Sequence, residues 1–263
     1  MDFLWQKGAL VDLSIKRWNM QTVLHEVDLN LQHKVPDIVR LGSKRLIPTR
    51  VSKKFLQYEV AAKTTLALNS FAFPIGRNSF VPFSVLFSTL DKLNAIKKQW
   101  NDYKDEFLTT HYEPTKTEML QNYVILNPNL YPSVATLQEQ FKFKIAVYNL
   151  NLPEAYAKSE MAAQMQVQMD DFLSGATTLL RQKTVDICTK LRKRILSDRI
   201  DMRNVNTLHR WIDKFSQLNF MDDAEVANAL NELKAELPHS KMGVANLDKE
   251  DFVTAVDKMI DIA

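Results

Sequence analysis

The sequence predicts an α+β fold, predominantly helical, in which a small antiparallel sheet carries a long antiparallel helical hairpin or coiled-coil-like arm. Three observations predict it. Only five glycines occur in 263 residues, and tight-turn β architectures need Gly at positive φ. Apolar residues recur every three or four positions over two long stretches, 84–111 and 153–198, which is the helical period. Short stretches near 9–18 and 140–150 alternate with the period of a strand. The Gly-rich five-stranded pattern of an OB-fold is missing.

Taken in order, residues 8–18 alternate through Leu10 or Val11, Leu13 and Ile15 to Trp18, which suits a half-buried strand. Residues 20–31 are compatible with a helix, and Pro36, Gly42 and Pro48 make 32–50 mostly loop. A helix runs from Val51 to Ser70, with Ser52 as its candidate N-cap. The aromatic stretch 71–83 is punctuated by Pro74, Gly76, Asn78 and Pro82, as in a hairpin. From Ser84 to His111 the seam Leu86, Leu90, Leu93, Ile96, Trp100, Tyr103 and Phe107 is close to heptad spacing, and Pro114 ends it. Two short helices over 115–139 are broken at Pro128 and Pro132, and 140–150 is the clearest strand.

Beyond Pro153 a stripe runs through Met161, Met165, Met169, Phe172, Ala176, Leu179 or Leu180, Ile187, Leu191 and Ile195. A continuous helix over this span would be about 65 Å long. Its expected partner is the helix over 84–111, and the excess of the stripe predicts a homo-oligomer. Helices at 204–219 and 222–236 follow, the second capped by Asp222 or Asp223. The division is therefore an α+β body at 1–152, a helical region at 153–237, and a linker with an acidic amphipathic tail at 238–263.

The net charge of +3 is mildly basic. The single Cys188 allows no disulfide framework and suits a reducing cytoplasm, and no apolar run approaches a membrane span. His25, His33, His111, His209 and His239 form no metal-ligand spacing, and Cys188 reads as a buried small hydrophobe. Leu41-Gly42-Ser43-Lys44 lacks the first Gly of a phosphate loop. The expectation is a protein that is not an enzyme and takes no cofactor and no metal.

The charge is segregated. Residues 34–54 carry Lys34, Arg40, Lys44, Arg45, Arg50, Lys53 and Lys54 against Asp37 alone, leading into a helix start. Cationic side chains beside open helical N–H groups suit phosphates, although a solvated basic loop is equally compatible. A second cluster holds Arg181, Lys183, Lys190, Arg192, Lys193, Arg194, Arg199 and Arg203. The helix dipole explains part of it. Aromatics lie near these cations: Tyr58 after Lys54, Phe71, Phe73 and Phe80 around Arg77, and Trp211 after Arg210. A single-strand groove combines cations with exposed aromatic platforms. Phe71 and Phe73 suit the core better, whereas Tyr58 and Phe80 are the candidates for exposure. In the tail, Asp248, Glu250, Asp251 and Asp257 border the apolar face of Phe252 and Ile260. That face is either a docking peptide for a partner or a helix packed on the body.

Leu41-Gly42-Ser43-Lys44, Pro48, Phe55, Phe73, Val81-Pro82, Leu90, Phe107 and Tyr112 follow an order that resembles an uncharacterised domain-of-unknown-function family of bacterial and phage proteins. Phe141-x-Phe143 and Leu218-Asn219-Phe220-x-Asp222 extend the resemblance over most of the chain. It implies an accessory role, since members are often encoded beside a MoxR-type AAA+ ATPase and a von Willebrand-A-type protein. A second resemblance, of function alone, is to the single-stranded-DNA-binding cofactors of phage RNA polymerases. The expected function is therefore a single-stranded-DNA-binding accessory factor of a phage, acting in the bacterial host cytoplasm and recruiting an RNA polymerase or replication protein. The alternative is a structural adaptor of the ATPase system.

Overall fold

The computed structural model describes residues 4, 6–31, 35–36, 38–149, 160–238, 244 and 248–263. It has the predicted class: mostly helical, with a four-stranded sheet and a separate two-stranded ribbon. Strand β1 (Gly8–Lys16) is followed by β2 (Gln21–Val23), β3 (Ser43–Arg45) and helix α1 (Thr49–Ala67). Next come β4 (Phe71–Ala72), β5 (Ser79–Pro82), α2 (Phe83–Glu106), α3 (Tyr112–Asn122), α4 (Val134–Gln140) and β6 (Lys142–Tyr148). The chain ends with α5 (Glu160–Leu196), α6 (Met202–Leu218), α7 (Ala224–Glu236) and α8 (Lys249–Ile262). The sheet order is β4-β5-β1-β6, so the three stretches expected to build it do so.

The chain folds as two compact units that interleave along the sequence. One comprises residues 1–10, 69–87 and 148–263, and the other 11–68 and 88–147. The sequence reading, by contrast, divides the chain in linear order.

In the first unit, β4 and β5 form a hairpin with Phe71 opposite Phe80. Gly76 turns it with a φ of 68°, a conformation that favours glycine. Four helices described in full belong to this unit, and each touches two others: α5 packs on α6 and α8, and α7 packs on α6 and α8. Helix α5 buries Met169, Phe172, Ala176, Leu180, Thr184, Cys188, Leu191 and Ile195 along one stripe. Within this unit α6 and α8 pack along α5, and Phe73, Phe80 and Phe220 meet its Phe172; the partner expected from the sequence was the helix 84–111. From Met169 to Ile195 the stripe is buried within one chain, whereas the side chain of Met161 lies outside the described residues.

Helix α5 stops where Asp198 enters the left-handed region at φ 57°, with the Arg199 N–H donating to the Arg194 carbonyl at 2.8 Å. Helix α6 starts at once, because Asp201 accepts from the Arg203 and Asn204 N–H groups at 2.9 and 3.0 Å. Asp223 caps α7, and Asp248 caps α8.

The second unit is built on aromatics. Phe55 of α1 meets Trp100 of α2 at 5.8 Å and Phe141 at 5.0 Å, and Trp18 meets Tyr112 edge-on at 5.9 Å. Buried tyrosines bond backbone, Tyr131 to the Leu46 carbonyl at 2.9 Å and Tyr112 to that of Pro132 at 2.5 Å. Burial pushes the hydroxyls of both above the ordinary tyrosine range.

Three local expectations change. Residues 20–31 are not a helix: Met20 has a φ of 59°, residues 21–23 pair antiparallel with 43–45, and Glu26–Leu29 form a 3-10 turn. Helix α1 begins at Thr49 behind Pro48, so Ser52 is not its cap. Pro114 does not end the helical run. A π-helical turn at Phe107–His111 intervenes, the Tyr112 N–H reaching back to the Phe107 carbonyl. This leaves Pro114 in the first turn of α3, where proline is tolerated. Among the described residues no helix is long and apolar enough to cross a membrane.

Candidate nucleic-acid interface

The two basic clusters belong to different units, and each is described in its own unit. In the first unit, the tight turn at 197–201 brings the end of α5 beside the start of α6. A groove of about 400 Å³ runs between them, lined by Ile187, Lys190, Leu191, Lys193, Arg194, Asn204 and Thr207. Lys190 and Arg194 are one helical turn apart and therefore share a face. Both are exposed, as is Lys193, and none makes an ion pair among the described residues.

From α6 the groove takes Asn204 and Thr207; exposed Arg203 and Arg210 precede and follow Thr207 by about one turn, and the Arg210 Nη2 donates to the Thr207 Oγ1 at 3.3 Å. Half-buried Lys183 continues the α5 wall two turns before Lys190, and Arg199 is exposed in the turn. Two nearby carboxylates are engaged: Asp201 caps α6, and Asp186 accepts from Gln182 at 3.2 Å. Lys190, Lys193, Arg194, Arg199, Arg203 and Arg210 outnumber these two carboxylates, which makes the surroundings of the groove positive. Asn204 and Thr207 escaped the sequence reading, and Arg210 entered it only as the neighbour of Trp211. The spacing of Arg203, Thr207 and Arg210 on one helical face was the available signal.

Two candidates of this cluster hold the fold instead. Arg181 forks onto Asp223 at 2.8 and 3.0 Å, reaches Glu225 at 2.9 Å and donates to the Ile262 carbonyl at 3.0 Å. Those carboxylate hydrogen bonds raise its guanidinium above the ordinary arginine range. Arg192 is ion-paired with Asp257.

In the second unit, Arg40, Arg45, Arg50, Lys53 and Lys54 are exposed. Lys34 lies outside the described residues. Lys44 is a correction. It is buried, its ammonium donates to Asp28 at 2.5 Å and to the Ile125 carbonyl at 3.2 Å, and it ties β3 to the turn after α3. The Lys44 hydrogen bond, followed by that of the His25 N–H, holds the Asp28 carboxyl below the usual carboxylate range.

The aromatic platforms expected from sequence are largely absent. Phe80 is fully buried, meeting Phe220 at 4.7 Å and Phe172 at 5.6 Å, because the hairpin turns its aromatic face into the first unit. Phe71 and Phe73 are buried beside it. Trp211 is buried too, its indole N–H donating to the Thr184 Oγ1 at 3.0 Å. Tyr58 is half-buried, with the Lys54 ammonium 5.3 Å over its ring. Its π-face is thus occupied by its own neighbour. Arg77 is exposed at the hairpin tip.

The acidic tail is not a free docking peptide. Phe252, Val256 and Met259 of α8 are buried against α5 and α7, and Ile260 is half-buried. Asp248 caps the helix and Asp257 pairs with Arg192, so of the six proposed partner-binding residues only Glu250 and Asp251 are exposed without such a role.

Among the described residues no cluster of three or more His, Cys, Asp or Glu side chains could hold a metal ion. Cys188 is buried, and desolvation pushes its thiol up to about 12. A search of curated proteins and of solved structures finds no match. One family model does match, over residues 6–255, and it is described as a protein of unknown function (DUF3150). The chain therefore belongs to the DUF3150 family.

Proposed function

We propose that this chain is a non-enzymatic single-stranded-DNA-binding protein that holds the strand along the α5–α6 groove, in the cytoplasm of a bacterial host. The observation that carries this reading is the set of exposed cations Lys190, Lys193 and Arg194 on the α5 wall, with Arg203 and Arg210 on either side of Thr207 on α6, none of them ion-paired among the described residues. Such a groove tracks a sugar-phosphate backbone. Its polar floor groups, Asn204 and Thr207, suit phosphate oxygens. The groove carries no exposed aromatic, so the reading is of backbone binding without base specificity. The biological role we assign is that of an accessory factor in phage transcription or replication, bringing a polymerase to an opened template.

Anisotropy of a labelled oligothymidylate and of a duplex of equal length, across a salt series, tests this. The proposal expects binding to the single strand with a linear fall of log affinity with log salt, the duplex arm showing how far binding extends to paired DNA. Absence of binding to either at low salt would end it.

A second reading has its own support. Tyr123, Val124 and Ile125 expose large apolar side chains in the second unit, as a protein-binding surface does. This suits an adaptor of a MoxR-type ATPase system, which co-purification with such an ATPase would test.

A further inference from the structure

The second unit contains a groove of about 620 Å³ between the start of α1 and the end of α3. Its apolar lining comes from Leu24, Leu29, Ile47, Met119, Ile125 and Leu126. Arg45 and Arg50 stand on its rim, exposed and without an ion pair among the described residues. Glu118 is the one carboxylate among the described lining residues, and Lys44 is already neutralised by Asp28.

Beside the groove, the turn after α3 presents three consecutive large apolar side chains. Tyr123 is 52% exposed, Val124 99% and Ile125 41%. The turn is fixed nonetheless. The Tyr123 N–H donates to the Met119 carbonyl at 3.1 Å, and the Leu126 N–H donates to the Tyr123 carbonyl at 3.0 Å. The Lys44 ammonium bonds the Ile125 carbonyl at 3.2 Å. An apolar edge is therefore held in shape before anything covers it, which lowers the cost of ordering it on binding.

We propose that this groove docks an acidic amphipathic helix of a partner protein. The aliphatic floor suits the apolar stripe of such a helix. Arg45, Arg50 and the positive end of α1 suit its carboxylates. A nucleic-acid strand is the poorer match, because the floor of this groove is aliphatic. The site lies in a different unit from the α5–α6 groove, and its occupancy does not depend on DNA binding.

Two fluorescein-labelled helical peptides test it on the full chain. In one, Leu recurs every three or four residues among Glu, and in the other Lys replaces every Glu. The Glu peptide binds and the Lys peptide does not. Arg45→Glu with Arg50→Glu weakens the Glu peptide roughly tenfold, and Val124→Ser, at a fully exposed position, weakens it as well. Oligothymidylate affinity is unchanged in both variants. Equal binding of the two peptides, no binding by either, or full affinity in the variants would overturn the proposal. Loss of oligothymidylate binding in the Arg45→Glu, Arg50→Glu variant would also overturn it, and would assign the groove to nucleic acid.

Discussion

The Arg181 guanidinium forks onto the Asp223 carboxylate, Nε to Oδ2 at 2.8 Å and Nη2 to Oδ1 at 3.0 Å. Asp223 also caps α7, and Arg181 reaches the last turn of α8 through the Ile262 carbonyl. One side chain thus joins α5, α7 and α8 of the first unit. Arg181→Ala should lower stability by about 2 kcal/mol, because it strips a nearly buried carboxylate of its partner. Chemical denaturation measures this. Oligonucleotide affinity of the folded variant should be unchanged, which separates Arg181 from the groove cations.

Gly8→Ala tests the close approach of β1 and β5. A Cβ at position 8 would lie 2.5 Å from both the Phe80 ring and the Val81 carbonyl oxygen. The carbonyl is backbone and Phe80 is locked among Phe172 and Phe220, so neither can yield cheaply. A loss of about 3 kcal/mol is expected in the same assay.

Acidification should reach the second unit through Asp28. Its folded-state pKa lies below the unfolded value, so its contribution is complete above the ordinary carboxylate range and disappears as the pH falls through the folded-state value. The melting temperature of the natural chain should fall between about pH 6 and about pH 3 more steeply than that of Asp28→Asn. Equal pH profiles would show that the Lys44–Asp28 pair adds nothing.

Cys188 should be inert toward a thiol-reactive disulfide at neutral pH. Its thiol is buried and lifted to about 12, so the reactive thiolate is scarce. Reaction should appear only with denaturant, in step with unfolding followed by circular dichroism.

Periodicity carried most of the fold. The stripe from Met169 to Ile195 marked α5, and the alternation of Phe141, Phe143 and Ile145 marked β6. Residues 20–31 misled, because the left-handed Met20 and the pairing with 43–45 are tertiary choices with weak local signals. The charge clusters were legible as composition but not as chemistry. Lys44 and Arg181 look like their neighbours in sequence, yet Asp28 and Asp223, their partners, come from distant positions. Phe80 was misassigned for a related reason. Hairpin alternation tells which residues share a face, and the packing of Phe172 and Phe220 decides which face is buried.

The central claim is that Lys190 and Arg194 hold a DNA backbone in the α5–α6 groove. Anisotropy of labelled oligothymidylate should be compared between the natural chain and a Lys190→Glu, Arg194→Glu variant across a salt series. The account predicts at least a tenfold loss of affinity, roughly, and a salt slope shallower by about 1.4, the value expected when two phosphate contacts are lost. A folded variant that binds with the affinity and salt slope of the natural chain would contradict it.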